Sequence, residues 1–282
     1  MVTVLGIAQD GGVPHVGCTR PCCVEARRSG RGFSPACLGI VDCTSGAELL
    51  IEATPAVEAQ LARWHGDRER RGNPVDAVLL THAHIGHYLG LAHFGREVAA
   101  TSSLPVYGTA RLVEFLRANG PWSQLVELGQ ILPQVCEPEL PFTPLPGLTV
   151  TAVRVPHRDE FSDTVAYRIR GEHKTLLFVP DVDAWSKSPG LLERLVDGVD
   201  LAFLDGTFWD GRELPGRNML EIPHPAIVDT MRRLAARALE RPGVFRFLHL
   251  NHTNPLLRDP ELVRRLEAAG FALAREGEVH EL

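Results

Sequence analysis

Residues Val75–Leu91 read V-D-A-V-L-L-T-H-A-H-I-G-H-Y-L-G-L, and no other stretch restricts the possible folds of this chain as much. Asp76–Thr81 is an apolar run of strand length, and Leu89, Leu91, Phe94 and Val98 beyond it are spaced for the inner side of a helix. Between the two lie His82, His84 and His87. A lone histidine at such a place is an ordinary polar loop residue, since His is only intermediate in burial. Three within six residues, set where a buried strand breaks off, converge on one point because the connecting loop curls back over the strand end. Imidazole is the commonest metal ligand and binds through either ring nitrogen. The chain therefore needs a fold that gathers strand ends around a cation.

The rest of the sequence repeats the device. A predicted strand Thr149–Val155 runs into Pro156-His157, Lys174–Val179 runs into Pro180-Asp181, and Phe245–Leu250 carries His249 near its end. Loops gather at the strand ends of one rim, so residues far apart in sequence meet there. His82, His84, His87, His157, His249 and Asp181 together suffice for a dinuclear centre with the carboxylate as its bridge. Glu52 closes the predicted strand Glu48–Glu52; it either orients one of the ligating histidines or caps the helix that Pro55 begins and carries to about Arg71.

A second cluster lies after the first predicted strand, Thr3–Ala8, and the turn Asp10-Gly11-Gly12. His15 to Cys23 holds three thiols and one imidazole within nine residues. Thiolates this close repel unless a cation holds them, and tetrahedral zinc accepts three Cys and one His. Segment 15–37 is thus read as a zinc-binding insertion whose fourth ligand is open, while Cys37 and Cys43 read as buried thiols.

The remaining elements set the architecture. A hairpin spans Leu38–Asp42 and Glu48–Glu52, Pro105–Gly108 is a strand, and Thr109 caps a helix through Ala118. The proline-rich stretch Gln130–Leu148 reads as an extended connection dividing the chain. The second half adds strands Thr164–Arg170 and Asp200–Leu204, a helix Gly190–Val196, and a long helix opened by Ile222-Pro223-His224-Pro225 and reaching about Arg241. A helix Asp259–Ala269 and a strand Phe271–Val279 close it. Each half delivers strands first with helices between them, which two mostly antiparallel sheets facing each other, with helices outside, accommodate in one domain of 282 residues. A doubly wound sheet is disfavoured, because no glycine-rich dinucleotide fingerprint follows a strand.

Composition removes other classes. With 29 basic against 35 acidic residues, a net charge of −6 and no basic stripe, neither nucleic acid nor an acidic membrane is an expected partner. The amino terminus lacks a basic region followed by an apolar one, and no run is long enough to span a bilayer, so a cytoplasmic location is expected. Six cysteines in a reducing compartment point to metal or buried thiols. The expected partner is a small-molecule substrate, and a homodimer is left open.

T-H-A-H-I-G-H resembles the histidine signature of the metallo-β-lactamase superfamily, followed in order by V-P-H (His157), V-P-D (Asp181) and L-H-L-N-H (His249). The likeness covers nearly the whole chain and implies a four-layer αββα sandwich with one or two divalent cations (Zn, Fe or Mn) on one rim. Two branches are most similar: the pyrroloquinoline-quinone biosynthesis protein B type and the phosphonate-pathway cyclic phosphodiesterase type. L-P-V-Y-G, N-G-P-W-S-Q-L, P-D-V-D-A-W, L-D-G-T-F-W and H-L-N-H-T-N-P resemble the first. The second implies a structural zinc on Cys18, Cys22, Cys23 and His252, and a proton-donating histidine at His224. Two departures stand out. The signature normally reads H-x-H-x-D-H, but Gly86 occupies the place of the Asp ligand, so a second site made of His87, Asp181 and His249 is expected to bind its cation more weakly or differently. Arg20 stands where a middle Cys would fall, with Cys22 as its substitute.

The chemistry expected is hydrolysis. A cation between His82, His84, His157 and Asp181 lowers the pKa of bound water from about 15.7 toward about 7. The hydroxide would attack an ester, thioester, lactone or phosphodiester, with Asp181 in the catalytic set and His224 protonating the leaving group. His87, His249 and Asp181 also make the two-His, one-carboxylate set of non-haem iron. The protein-B likeness implies, as the alternative, an iron-dependent oxygenase acting on a tyrosine-derived precursor. A non-catalytic carrier of a small quinone-like molecule is the third reading.

Overall fold

The computed structural model describes residues 1–214 and 224–282. Among them, β1 (Val2–Gly6), β2 (Cys37–Val41), β3 (Glu48–Ile51), β4 (Ala77–Leu79), β5 (Leu104–Gly108) and β6 (Ile131–Val135) lie side by side, with β14 (Val279–His280) against β1. The second sheet runs from β7 (Pro141–Phe142) through β8 (Thr149–Arg154), β9 (Val165–Arg170), β10 (Thr175–Val179), β11 (Leu201–Asp205) and β12 (Phe245–Leu248) to β13 (Ala272–Leu273). Helices α2 (Val57–His65), α3 (Ile85–Tyr88), α4 (Ala110–Ala118) and α5 (Trp122–Glu127) connect strands of the first sheet; α6 (Leu191–Leu195), α7 (Ile227–Glu240) and α8 (Pro260–Ala268) connect strands of the second. Helix α1 (Pro21–Ser29) belongs to the cysteine segment.

Successive residues of a strand point to opposite faces, and here each face is buried. Leu49 and Ile51 of β3 pack with Val150, Tyr167 and Phe178 of the opposite sheet, whereas Leu50 packs with Val57, Phe94 and Leu112 of the helical layer. This two-sided burial makes the four-layer sandwich and explains the unbroken apolar strands.

Several expectations need correction, among them that of a buried thiol at Cys43, which is exposed, whereas Cys37 is buried. The sheets are mixed, not mostly antiparallel: each contains three antiparallel and three parallel pairings. Strands covered on both faces and joined by helices favour parallel pairing. The proline-rich connection contains β6 and β7, which are both edge strands, the positions that tolerate a missing N–H. The final predicted strand divides into β13 and β14, one for each sheet, across Gly277 at φ 85°. Helix α2 stops at His65, where Gly66 takes φ 55°, instead of reaching Arg71. Beyond His87 the chain follows a short 3-10 turn, Leu89–Phe94, which leaves Val98 exposed. Ile222 and Pro223, read as opening the long helix, lie outside the described residues, and α7 itself starts at Ile227. No helix of the described residues is long and apolar enough to cross a membrane.

Parallel pairing sets the rim. Ile51 pairs with Leu79, Val179 with Leu204, and Asp205 with Leu248, so β3, β4, β10, β11 and β12 end at one level within their sheets. Strand β8 joins them because both it and β10 run antiparallel to β9. The Tyr167 hydroxyl donates to the Leu80 carbonyl at 2.7 Å and the Val165 amide to that of Thr81 at 3.1 Å, which aligns the two sheets at this edge.

Candidate metal centre

The loop after β4 delivers His82 and His84, and α3 turns His87 back beside them. His157 follows β8 and Asp181 follows β10. His82, His84, His157 and Asp181 each place a ligand atom within 4.8 Å of the others, and Asp10, His87 and His249 form a second such group. Asp181 spans both: Oδ1 lies 3.3 Å from His157 Nε2, and Oδ2 lies 3.4, 3.7 and 3.9 Å from Nε2 of His82, His87 and His249. Hydrogen bonds between N and O fall at about 2.7–3.2 Å. Two ligand atoms that share a tetrahedral cation at about 2.1 Å lie about 3.4 Å apart. The separations fit the second case.

The donor atoms agree. Nε2 of His82, His87, His157 and His249, with Oδ1 of Asp10 and Asp181, are buried without a hydrogen-bond partner. Leaving such atoms unsatisfied costs about 1–3 kcal/mol each, a penalty that shared cations would remove. The residues present therefore fit one or two divalent ions.

The far ring nitrogen of His82, His84 and His249 has a hydrogen-bond partner, and that of His87 and His157 has a carboxylate nearby without a hydrogen bond. Thr81 Oγ1 donates to Glu52 and lies 2.9 Å from His82 Nδ1, from which it accepts; Glu52 also lies 3.2 Å from His87 Nδ1. Thr207 Oγ1 donates to Asp205 at 2.7 Å and lies 3.1 Å from His249 Nδ1. His84 Nε2 meets Glu160 at 2.9 Å, which leaves its Nδ1 for the centre. His157 Nδ1 is 3.5 Å from Asp183. Partners of this kind set the ring orientation and tautomer of a ligating histidine. Of the two roles read for Glu52, orientation is the one it performs; α2 has no side-chain cap.

Backbone strain is placed at the same spot. Glu52 at φ 74° and His249 at φ 60° are non-glycine residues in the left-handed region, at about 1–3 kcal/mol each. Backbone bonds hold them there: Glu52 N to Leu79 O at 2.9 Å, and Leu250 N to Ile7 O at 2.8 Å.

The electrostatics favour positive charge. Burial opposes an imidazolium at His87, but Glu52 and Asp10 outweigh it and hold its pKa well above the ordinary value. Burial likewise opposes a charged Asp181, yet the surrounding histidines, His249 and His224 foremost, hold its pKa well below the usual range. His82, with burial dominant and the positive charge of His87 next, is pushed well below. His224 sits 2.9 Å from Asp205 Oδ2 and 3.2 Å from Asp181 Oδ1 through Nδ1. Burial disfavours its charged form, but Asp205 and Asp181 prevail and raise its pKa to about 9. A cavity of about 430 Å³ opens beside it, walled by Trp185, Lys187 and Phe208 among others.

Cys18, Cys22, Cys23 and His252 form a separate group, again with ligand atoms within 4.8 Å. Cys22 and Cys23 sulfurs are 4.0 Å apart, near the roughly 3.8 Å edge of a tetrahedron with Zn–S of about 2.3 Å. His252 Nδ1 is buried and unpartnered.

Every predicted metal ligand thus lies in one of these groups, and His224 lies in a further one with Asp181 and Asp205. Three contributors were not anticipated: Asp10, Asp205 and Thr207. Asp10 and Asp205 follow or end apolar strands, the same positional signal that marked His157 and Asp181, but each precedes a glycine and so reads as a turn.

A model of the β-lactamase superfamily domain matches residues 47–250. The chain belongs to the metallo-β-lactamase-fold superfamily. Members of it that resemble the whole chain include coenzyme PQQ synthesis protein B of Methylobacterium radiotolerans, 29% identical with 98% of each chain covered. The protein of that name from Ruegeria pomeroyi is 27% identical, again with 98% of each covered. The crystal structure of zinc-bound PqqB from Methylobacterium extorquens superposes with a TM-score of 0.83 at 23% identity, covering 100% of this chain and 99% of that one. A diphosphatase of the PhnP family follows at 0.69 and 20%, covering 98% and 94%. These likenesses establish the superfamily fold, a metallo-β-lactamase sandwich of two mixed sheets flanked by helices.

Proposed function

We propose that this protein is a metal-dependent hydrolase of a small-molecule ester, thioester, lactone or phosphodiester, working at the rim cluster. The observation that carries this reading is the set of separations around Asp181, too long for hydrogen bonds and suited to ligand atoms that share cations. His82, His84, His157 and Asp181 would hold one divalent ion, and His87, His249 and Asp181 belong to a second. Such an ion supplies a water of lowered pKa and polarises the scissile group.

The chain's own residues do the rest. Glu52 and Thr207 keep the imidazoles aimed inward, and the burial of the cluster excludes bulk water. His224 has Nδ1 engaged by Asp205, so its Nε2 proton is the one available to a leaving group in the adjoining cavity. A positioned acid contributes about 10²–10⁴-fold. Cys18, Cys22, Cys23 and His252 would hold a structural zinc that ties the first loop to the loop after β12.

A second reading, an iron-dependent oxygenase acting on a tyrosine-derived precursor, is favoured by one observation: the relatives matched over their full length are named for coenzyme PQQ synthesis. Elemental analysis of protein purified without added metal, with turnover measured under nitrogen and under air, separates the two. Hydrolysis predicts zinc or manganese at the rim, ester or phosphodiester cleavage independent of oxygen, and loss of that cleavage to background in His157→Ala. Bound iron with oxygen consumption would replace it by the oxygenase. Tight binding of a quinone-like ligand, unchanged by His157→Ala and without turnover in either gas, would leave a carrier.

A further inference from the structure

Gly86 has no side chain to offer where the superfamily signature places an acidic ligand, and the structure shows what occupies that space. A Cβ built on Gly86 would lie 2.1 Å from Asp10 Oδ1, 2.6 Å from Asp10 Cα and 2.7 Å from its Cγ. We propose that Asp10 is the carboxylate ligand of the second cation, supplied from the first loop instead of the histidine loop, and that glycine at 86 is the condition for its entry. The inference rests on the reading of the rim as a cation centre and adds to it a complete second site: Asp10, His87 and His249, with Asp181 shared.

The geometry distinguishes a ligand from an ordinary ion pair. Asp10 Oδ1 is 3.3 Å from His87 Nε2 and 3.6 Å from His249 Nε2, and it accepts no hydrogen bond from any described residue. A carboxylate that served only to balance an imidazolium would be expected at hydrogen-bonding distance. These lengths instead equal those between Asp181 and its histidines, and so fit the separation of ligand atoms around one ion. Asp10 as a whole is 36% exposed at the side chain while Oδ1 is buried; one oxygen faces the cluster and the other side opens outward.

The first loop is fixed in this position by backbone bonds. Ala8 bridges Leu250 and Pro35, and Gln9 N donates to Leu250 O at 2.9 Å. These pairings set Asp10 beside His249. Because the atoms nearest the built Cβ include the Asp10 backbone, any side chain at 86 would have to move the loop itself. The missing Asp and the extra one are therefore one exchange.

Three chains test it: wild type, Asp10→Asn and Gly86→Asp. Each is equilibrated with zinc, cations per chain are counted by mass spectrometry, the affinity of the weaker rim site is titrated, and near-ultraviolet circular dichroism checks folding. Altering partners beyond the direct ligands typically costs about 10–100-fold in metal affinity, so removing a direct one should weaken the second cation by about 100-fold or more. Asp10→Asn should therefore bind one rim cation fewer at limiting zinc, and Gly86→Asp, which pushes the first loop away, should disturb the same cation and leave the one at His82, His84 and His157 in place. A folded Asp10→Asn that binds both rim cations at wild-type affinity overturns the assignment. His82→Ala run alongside separates the two levels of failure: if it too changes nothing, or wild type takes no rim cation, the rim reading falls along with this one.

Discussion

The rim cluster and the cysteine cluster each gather ligand atoms within the same 4.8 Å, yet they are held in different ways. At the rim, Thr81, Glu52 and Thr207 grip the imidazoles from behind, and the strand ends carrying them are paired in register. Around the cysteines, the support is thin: the His15 amide donates to Cys23 Sγ at 3.2 Å, and Arg27 holds the Cys18 carbonyl. One cluster is organised by protein before any ion arrives. The other has fewer such partners, and burial foremost, with Cys18 and Cys22 beside it, pushes the Cys23 thiol up to about 11 and away from the thiolate a metal needs. The lesson is that two clusters of metal-binding side chains in one chain can differ in how far the surrounding protein orients them.

The largest effect that would sharpen this contrast is expected at His224. It lies outside the groups around His82 and around Asp10 and His87, in a third group with Asp181 and Asp205, and these two carboxylates favour its protonated form. His224→Gln should lower kcat by about 10²–10⁴-fold, with rim metal content unchanged by elemental analysis. If the cations leave along with the activity, His224 is a ligand, and the rim is built differently from the account above.

Next in size is Glu52→Gln. The side chain is fully buried and serves His82 through Thr81 and His87 directly. The amide keeps the shape but loses the charge that holds His87 inward. Rim affinity for zinc should fall by about 10–100-fold, measured by competition with a chelator of known strength, while the zinc at the cysteines stays. Equal loss from both clusters would break the claim that only the rim is organised by such partners.

Much of this was legible beforehand because one rule recurs: a polar residue just past a Val- or Leu-rich strand. His82, His157, Asp181 and His249 obey it without ambiguity. Asp10 obeys it too, but Asp-Gly-Gly is also what a tight turn requires, and only the pairing of Ala8 with Leu250, 242 positions away, shows which use is made. Parallel against antiparallel pairing was not legible for a similar reason: a strand buried on both faces has the same apolar content in either direction. Strand β6 was hidden because Pro133 argues against a strand unless its edge position is known.

The smallest effect ties the two clusters together. The first loop carries both Asp10 and Cys18, and the loop after β12 carries both His249 and His252, so two of the segments that feed the second rim site also feed the cysteines. His82, His84 and His157 share no segment with them. Cys22→Ser should therefore remove the zinc at the cysteines and lower Tm, by about 2–4 °C for each kcal/mol lost. Its reach into the rim should be uneven: the second cation should weaken by several-fold, less than in Glu52→Gln, while the first binds as before. The difference is read by titrating both rim sites in the folded variant. Equal weakening would mean that the cysteine cluster supports the whole rim through global stability; no weakening at all would mean that the backbone bonds from Ile7 and Gln9 to Leu250 are enough to hold Asp10 and His249 together.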